Sequence, residues 1–380
     1  PTERAVRNPN WKGLNGRVTW QANTKNKFAV AYDTQPSCQC PVPTSTITLE
    51  AAEGSRAILG PKDFIFGDWT APFTNRLLVE AHVLKHREHA YRPRENGYFT
   101  NDPGGVDLIG VTEQTGNIQY RADTGNATDT WNRTMLGRVA ASYITGAHSF
   151  RIGISHDRSG QEQERFVIDA PISYRFRNGV PNQLTLTDNP RYRQARVNTG
   201  GIYAQDSWVI KQLTLQGGLR FDTSHAFFPA QFVGGGPYWP NRIDIPKTEG
   251  ASLKDLTPRM AVSYDLRGDG KTALKMTVGK YMQATELFWF GELANPTLRL
   301  ATSTTRSWND ANRNFIPDCD QLNPAANGEC GAYANQNFGK NVYSQNIDPA
   351  IMSGSGNRQY NWEFSTSIQH EVLPRVGVSF

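Results

Sequence analysis

The sequence predicts an all-β chain, built as antiparallel up-and-down strands of the kind that form a transmembrane barrel. Three observations carry this. Side chains alternate between an apolar or aromatic face and a polar face with the period of two that belongs to a strand. Hairpins with tight turns recur along the whole chain, separated by long polar stretches. Mean hydropathy is −0.57, and no run of about 18 apolar residues is present to make a membrane helix. A barrel can still cross a bilayer at such a hydropathy, because half of each strand and all of the loops are polar.

Six hairpins are expected, hence about twelve strands. The first has Val18 and Trp20 opposite Arg17, Thr19 and Gln21, a turn at 22–26, then Phe28, Val30 and Tyr32. In the second, Phe64 and Phe66 lead to a turn at 72–75, and Leu77, Val79, Ala81 and Val83 leave it opposite Glu80, His82 and His86. The third runs over 135–144, turns at 145–147 and returns through Phe150, Ile152 and Ile154. The fourth covers 198–208 and returns through Leu213, Leu215, Leu219 and Phe221. The fifth pairs Met260, Val262, Tyr264 and Leu266 with Leu274, Met276 and Val278 across the Gly-rich turn RGDG at 267–270. The sixth shows the alternation most fully: Tyr360, Trp362, Phe364, Thr366 and Ile368 share one parity, against Asn361, Glu363, Ser365, Ser367 and Gln369. It turns at 372–374 into Val376, Val378 and Phe380.

Between the hairpins, long loops are expected at 34–60, 88–130, 158–195, 224–254 and 283–357. Short turns at one end and long loops at the other is the asymmetry of outer-membrane barrels, whose long loops face outside the cell. The competing reading is a secreted β-sandwich for binding or adhesion, which would bury the aromatic faces in a core.

The chain has 9 Trp, 14 Tyr and 18 Phe, an aromatic content suited to membrane interfaces. The net charge of +5 over 380 residues is modest, and no basic stripe suited to tracking phosphates stands out, so nucleic acid is not an expected partner. The four cysteines form two local pairs, Cys38 with Cys40 and Cys319 with Cys330, which fit loop-pinning disulfides in an oxidising compartment. A four-thiolate zinc site is the competing reading; the C-x-C spacing and the lack of clustered histidines near either pair disfavour it.

Asp310, Asn312, Asn314 and Asp318, with the carbonyl of Ile316, space oxygens as looped calcium sites do. The segment lacks the Gly and the distal acid of an EF-hand. A Ca²⁺ loop closed by Cys319–Cys330 is therefore expected, against an Asx-rich turn held by the disulfide alone. His82 and His86 fall on one strand face about 13 Å apart, too far for one ion, so with His89 they read as lumen or loop histidines. No Ser/His/Asp, paired-carboxylate or Cys/His arrangement has local support, and no enzyme is expected.

The segment GGIYAQDSWVIKQLTLQGGLRFD at 200–222 resembles a hairpin of TonB-dependent outer-membrane receptors, and LTPRMAVSYDLRGDGKTALKMTVGKYMQ at 256–283 resembles their next one. The loop RSWNDANRNFIPDCDQLNPAANGECG at 306–331 and the hairpin after it resemble the Oar-like subgroup. The resemblance implies a barrel of roughly 22 strands, of which this chain would supply about twelve as an internal part. No signal peptide, plug or TonB box is recognised, and Phe380 reads as mid-strand. The implied setting is the outer membrane of a Gram-negative bacterium. The implied partners are outer-membrane lipid, an unknown extracellular substrate, and the TonB complex through a plug region. Tyr238, Trp239, Trp289 and Phe290, in the expected loops, are candidates to stack on that substrate.

Overall fold

The computed structural model describes residues 8–40, 46–48, 51, 57–91, 109–122, 126–167, 171–283 and 294–380. Twelve wall strands run up and down in chain order: β1 Leu14–Asn23, β2 Asn26–Thr34, β3 Ala57–Pro72, β4 Leu77–Tyr91, β5 Asn126–Thr145, β6 His148–Val167, β7 Arg191–Ile210, β8 Leu213–Phe228, β9 Thr248–Asp265, β10 Thr272–Met282, β11 Tyr360–Leu373 and β12 Val376–Ser379. Each pairs antiparallel with the next. Among the described residues β1 and β12 do not pair with each other, so the wall is an open sheet.

The turns at one end are tight because local polar groups close them. Between β9 and β10, Asp265 accepts from the backbone N–H of Arg267, Gly268 and Gly270 at 3.3, 3.0 and 2.8 Å. Gly268 and Gly270 sit at φ 73° and 74°, a region that glycine enters without steric cost.

The ladder fixes which residues share a face. Val18 pairs with Val30, Val139 with Ile154, Ile154 with Ile202, Ile202 with Phe221, and Val278 with Phe364. This face is uncovered: Ile154 is 55% and Phe364 74% exposed. A sandwich would bury these side chains under a second sheet, so that alternative is overturned. Exposure of this kind fits lipid as the solvent. Near the turns the face becomes aromatic, with Trp20 stacked on Phe28 at 5.7 Å and the Trp69 indole donating to Asn26 Oδ1 at 3.0 Å.

The loops are shorter than the sequence suggested. Residues 158–167, 191–195, 224–228 and 248–254, expected as loop, continue the wall strands. At 20 residues, β5, β6 and β7 are each about 65 Å long at strand rise. A spanning strand needs only about 9–11 residues. In β6 the excess, from His156 to Glu164, is polar on both faces and the alternation that marks a membrane strand fades; in β7–β9 the excess buries Ala195, Val197, Ala226, Phe228, Ala251 and Leu253 on one face instead.

The buried core lies in the loops. A second sheet pairs Val111–Glu113, Ile118–Tyr120, Ile172–Arg177, Val180–Thr187 and Ser303–Ser307, antiparallel except where Val111–Glu113 meets Ile172–Arg177. Its Tyr174, Phe176, Leu184 and Leu186 pack with Trp239, Trp308, Tyr333 and Phe338 in one cluster, all buried. Segments far apart in sequence thus form one folded cap.

Candidate functional site: the lumen wall beneath a folded cap

Opposite the apolar face, the wall strands present a polar one. Arg17 and His82 both bond Asp68, at 3.3 and 2.8 Å. Arg151 reaches Glu80 at 2.9 Å and donates to Ser142 at 2.8 Å. Arg220 pairs with Asp222 at 2.7 Å and donates to Ser155 at 2.9 Å. A cavity of about 800 Å³ opens on this face, lined by Arg138, Arg151, Tyr203, Arg220, Arg259 and Tyr281 among others. The Arg259 guanidinium lies 4.5 Å from the Tyr281 ring centre. Neither Arg138 nor Arg259 has a carboxylate partner among the described residues, so the cavity carries uncompensated positive charge. These arginines were not singled out as a site from the sequence. Their signal was there: each falls on the parity opposite the aromatic file of its own strand.

The cap holds the other candidates. Trp239 is 1% exposed and meets Phe338 edge-on at 5.3 Å, so its indole has no face open to a solute in this structure. Tyr238 packs partly buried against the same core. Trp289 and Phe290 lie outside the described residues. Arg306 is 1% exposed and donates to the carbonyls of Gly331, Asp320 and Ala325 at 2.8, 3.1 and 3.1 Å. It thereby pins the 319–330 loop to the sheet, and burial pulls its pKa down.

The calcium-loop candidates sit at the exposed tip of the cap. Asn312 and Asn314 donate their side-chain amides to Asp318 Oδ2 at 2.6 and 3.1 Å. Asp310 accepts from the backbone N–H of Asn314 and Phe315 at 3.1 and 3.2 Å, and Ile316 donates its N–H to Asn314 Oδ1 at 2.7 Å. Glu329, not foreseen from sequence, braces the same loop. Desolvation pushes its carboxyl up, but N–H donors from Ala311 and Asp318, with the Trp308 indole, hold it below the usual range. Cys319 is joined to Cys330, and Cys38 to Cys40. Among the described residues no three His, Cys, Asp or Glu side chains converge on a metal-sized site. A cation at the tip would therefore rest on two carboxylates and on amide and carbonyl oxygens. His82 is engaged by Asp68, His86 stacks on Phe64 at 4.5 Å, and His89 bonds Asp129 at 2.8 Å, so the three histidines are separate.

The family described as outer membrane beta barrel domain matches residues 2–379. The chain belongs to that family. Its place is the outer membrane of a Gram-negative cell, with the exposed apolar face of the barrel wall toward lipid. Among solved structures, the fold is similar to the outer membrane transporter YddB from Escherichia coli, at 12% identity and TM-score 0.52 over 96% of this chain. It is also similar to the closed form of the ferric-catecholate import receptor Fiu from E. coli K12, at 13% identity and TM-score 0.50 over 96% of this chain. This barrel chain spans 38% and 56% of those two structures, less than two thirds of either. No curated protein matches it.

Proposed function

We propose that the chain forms part of the barrel of a TonB-dependent receptor, which passes a large solute across the outer membrane with energy supplied through TonB. The family match, on a wall that is apolar outside and arginine-rich inside, carries this reading. The likeness to an import receptor favours inward movement. The cap supplies a rigid outer vestibule, and the lumen arginines favour a solute bearing negative charge. In this reading the TonB complex acts through a plug region that is not recognised in these residues.

The test is accumulation of solutes. Cells lacking this protein and cells lacking TonB should fail to take up at least one solute in common from a shared medium. Loss of a solute that is independent of TonB would leave a passive barrel. No loss in the absence of the protein would remove the transport reading.

A further inference from the structure

The hairpin turns stand at the end of the wall away from the cap, and their charge is lopsided. Lys25 lies in the first turn, Arg76 in the second, Lys211 in the fourth, Arg267 and Lys271 in the fifth and Arg375 in the sixth, all exposed. Lys27 follows the first turn on β2. The carboxylates at this end are Asp265, Asp269 and Glu371. Each accepts from a backbone N–H of its own turn, Gly270 at 2.8 Å, Lys271 at 2.9 Å and Arg375 at 2.9 Å. The next acids along the strands are engaged: Asp206 by His148, Glu80 by Arg151, and Asp68 by Arg17 and His82. Those seven cations against three carboxylates leave a positive surplus. Lys25, Arg76 and Lys211 have no carboxylate partner among the described residues.

Two of the cations sit where the backbone favours another residue. Lys211 is the first residue of a two-residue turn between the paired Ile210 and Leu213, at φ 53°. Arg375 follows Pro374 in the turn between the paired Leu373 and Val376, at φ 70°. Glycine takes such left-handed positions without steric cost, and a residue with a Cβ does not. Neither turn needs a cation to close, so the charge points to a partner outside the chain.

Between the first two turns a groove of about 920 Å³ opens, lined by Lys25, Phe73, Arg76, Leu78, Ser142 and Ile144 among others. Phe73 is 43% exposed and meets Trp69 edge-on at 6.2 Å, which leaves ring surface free beside the two cations. An aromatic ring accepts the apolar C–H face of a sugar, and the cations accept carboxylates.

We propose that this end of the wall docks on the cell-wall polymer beneath the outer membrane, a glycan whose peptide stems carry repeated carboxylates. A sugar packs on Phe73, and stem carboxylates meet Lys25, Arg76, Lys211 and Arg375. Neighbouring turns are two strands, about 10 Å, apart along the sheet. Charge spread over five turns at that interval suits an extended, repeating polyanion better than one acidic pocket filler. The docking requires the outer-membrane barrel reading and not the transport reading.

The experiment is co-sedimentation of the full-length, detergent-extracted protein with purified sacculi, with sacculi whose carboxylates have been amidated, and with resin-bound poly-glutamate. The parent protein should pellet with native sacculi at low salt. Changing Lys25, Arg76, Lys211 and Arg375 together to Gln should weaken binding roughly thirtyfold, and amidated sacculi should bind the parent about as weakly. Phe73→Ala should weaken binding to sacculi and leave binding to poly-glutamate unchanged. Joint Lys211→Gly and Arg375→Gly should weaken binding while the unfolding midpoint holds or rises. Equal binding to native and amidated sacculi, or unchanged binding by the fourfold variant, would overturn the proposal. Poly-glutamate bound as tightly as sacculi would make this a surface for acidic proteins and overturn the wall assignment. A lowered midpoint in the glycine variant would assign those two cations to their turns and overturn their role in docking. A gel shift on boiling reports the folded barrel in each sample. Its absence in the parent would refute the barrel reading instead.

Discussion

Trp239 and Trp308 illustrate what a single residue can and cannot reveal in a sequence. An aromatic in a polar, Gly- and Pro-rich stretch reads equally as a solute-stacking platform or as core, because its partners lie far away in the chain. Trp308 packs on Tyr174 at 4.8 Å across a separation that no local pattern encodes. Arg306 is similar: its three carbonyl acceptors exist only once the disulfide loop has folded. Replacing it with Leu leaves those carbonyls unpaired in the core and should cost about 2–4 kcal/mol, read as a lower melting temperature and faster proteolysis within the cap. Burial, with the neighbouring Tyr238, pushes the Tyr174 phenol up to about 12. The folded cap thus favours the neutral phenol. That stability is complete below pH 10 and lost as pH rises toward 12, so ionisation followed at 295 nm should coincide with loss of cap structure in that window. For the tip loop the expectation is calcium binding. Calorimetry on the oxidised protein should show Ca²⁺ heat that Asp318→Asn removes, and its absence would return the loop to a disulfide-held turn.

At the scale of the element, period-two patterning was legible wherever one face meets lipid. Every turn of the six hairpins falls within a residue or two of its expected position. The pattern failed where strands leave the bilayer. In β6, Ile152 and Ile154 are followed on the same face by His156, Arg158 and Glu162, and a strand polar on both faces looks like a loop. The short strands of the cap were missed for a different reason: they pair across loops, and their alternation is too brief to stand out. The parity itself is testable. Ile154→Arg on the outward face should destabilise the barrel by about 2–4 kcal/mol, whereas Ser155→Arg, one residue on but facing the lumen, should be nearly neutral. Denaturant unfolding from lipid vesicles measures both.

For the whole molecule, the apolar surface is divided between two solvents. The cap buries its aromatics as a soluble domain does, while the wall leaves Ile202, Phe221, Met260 and Phe364 uncovered. That inversion makes the outer-membrane assignment physical as well as a matter of family. It also explains why the lumen arginines could be placed on a face from sequence but not recognised as a cluster: closeness across strands depends on register, which only the assembled sheet fixes.

The central claim, a lipid-facing and a lumen-facing side on one wall, is tested most directly by cysteines placed singly at residues 151 to 155 of the full-length protein in outer membranes. Positions 152 and 154 should resist a water-soluble maleimide and report a lipid-phase quencher, while 151, 153 and 155 should show the reverse. Uniform reactivity along the strand, or the opposite alternation, would contradict the account.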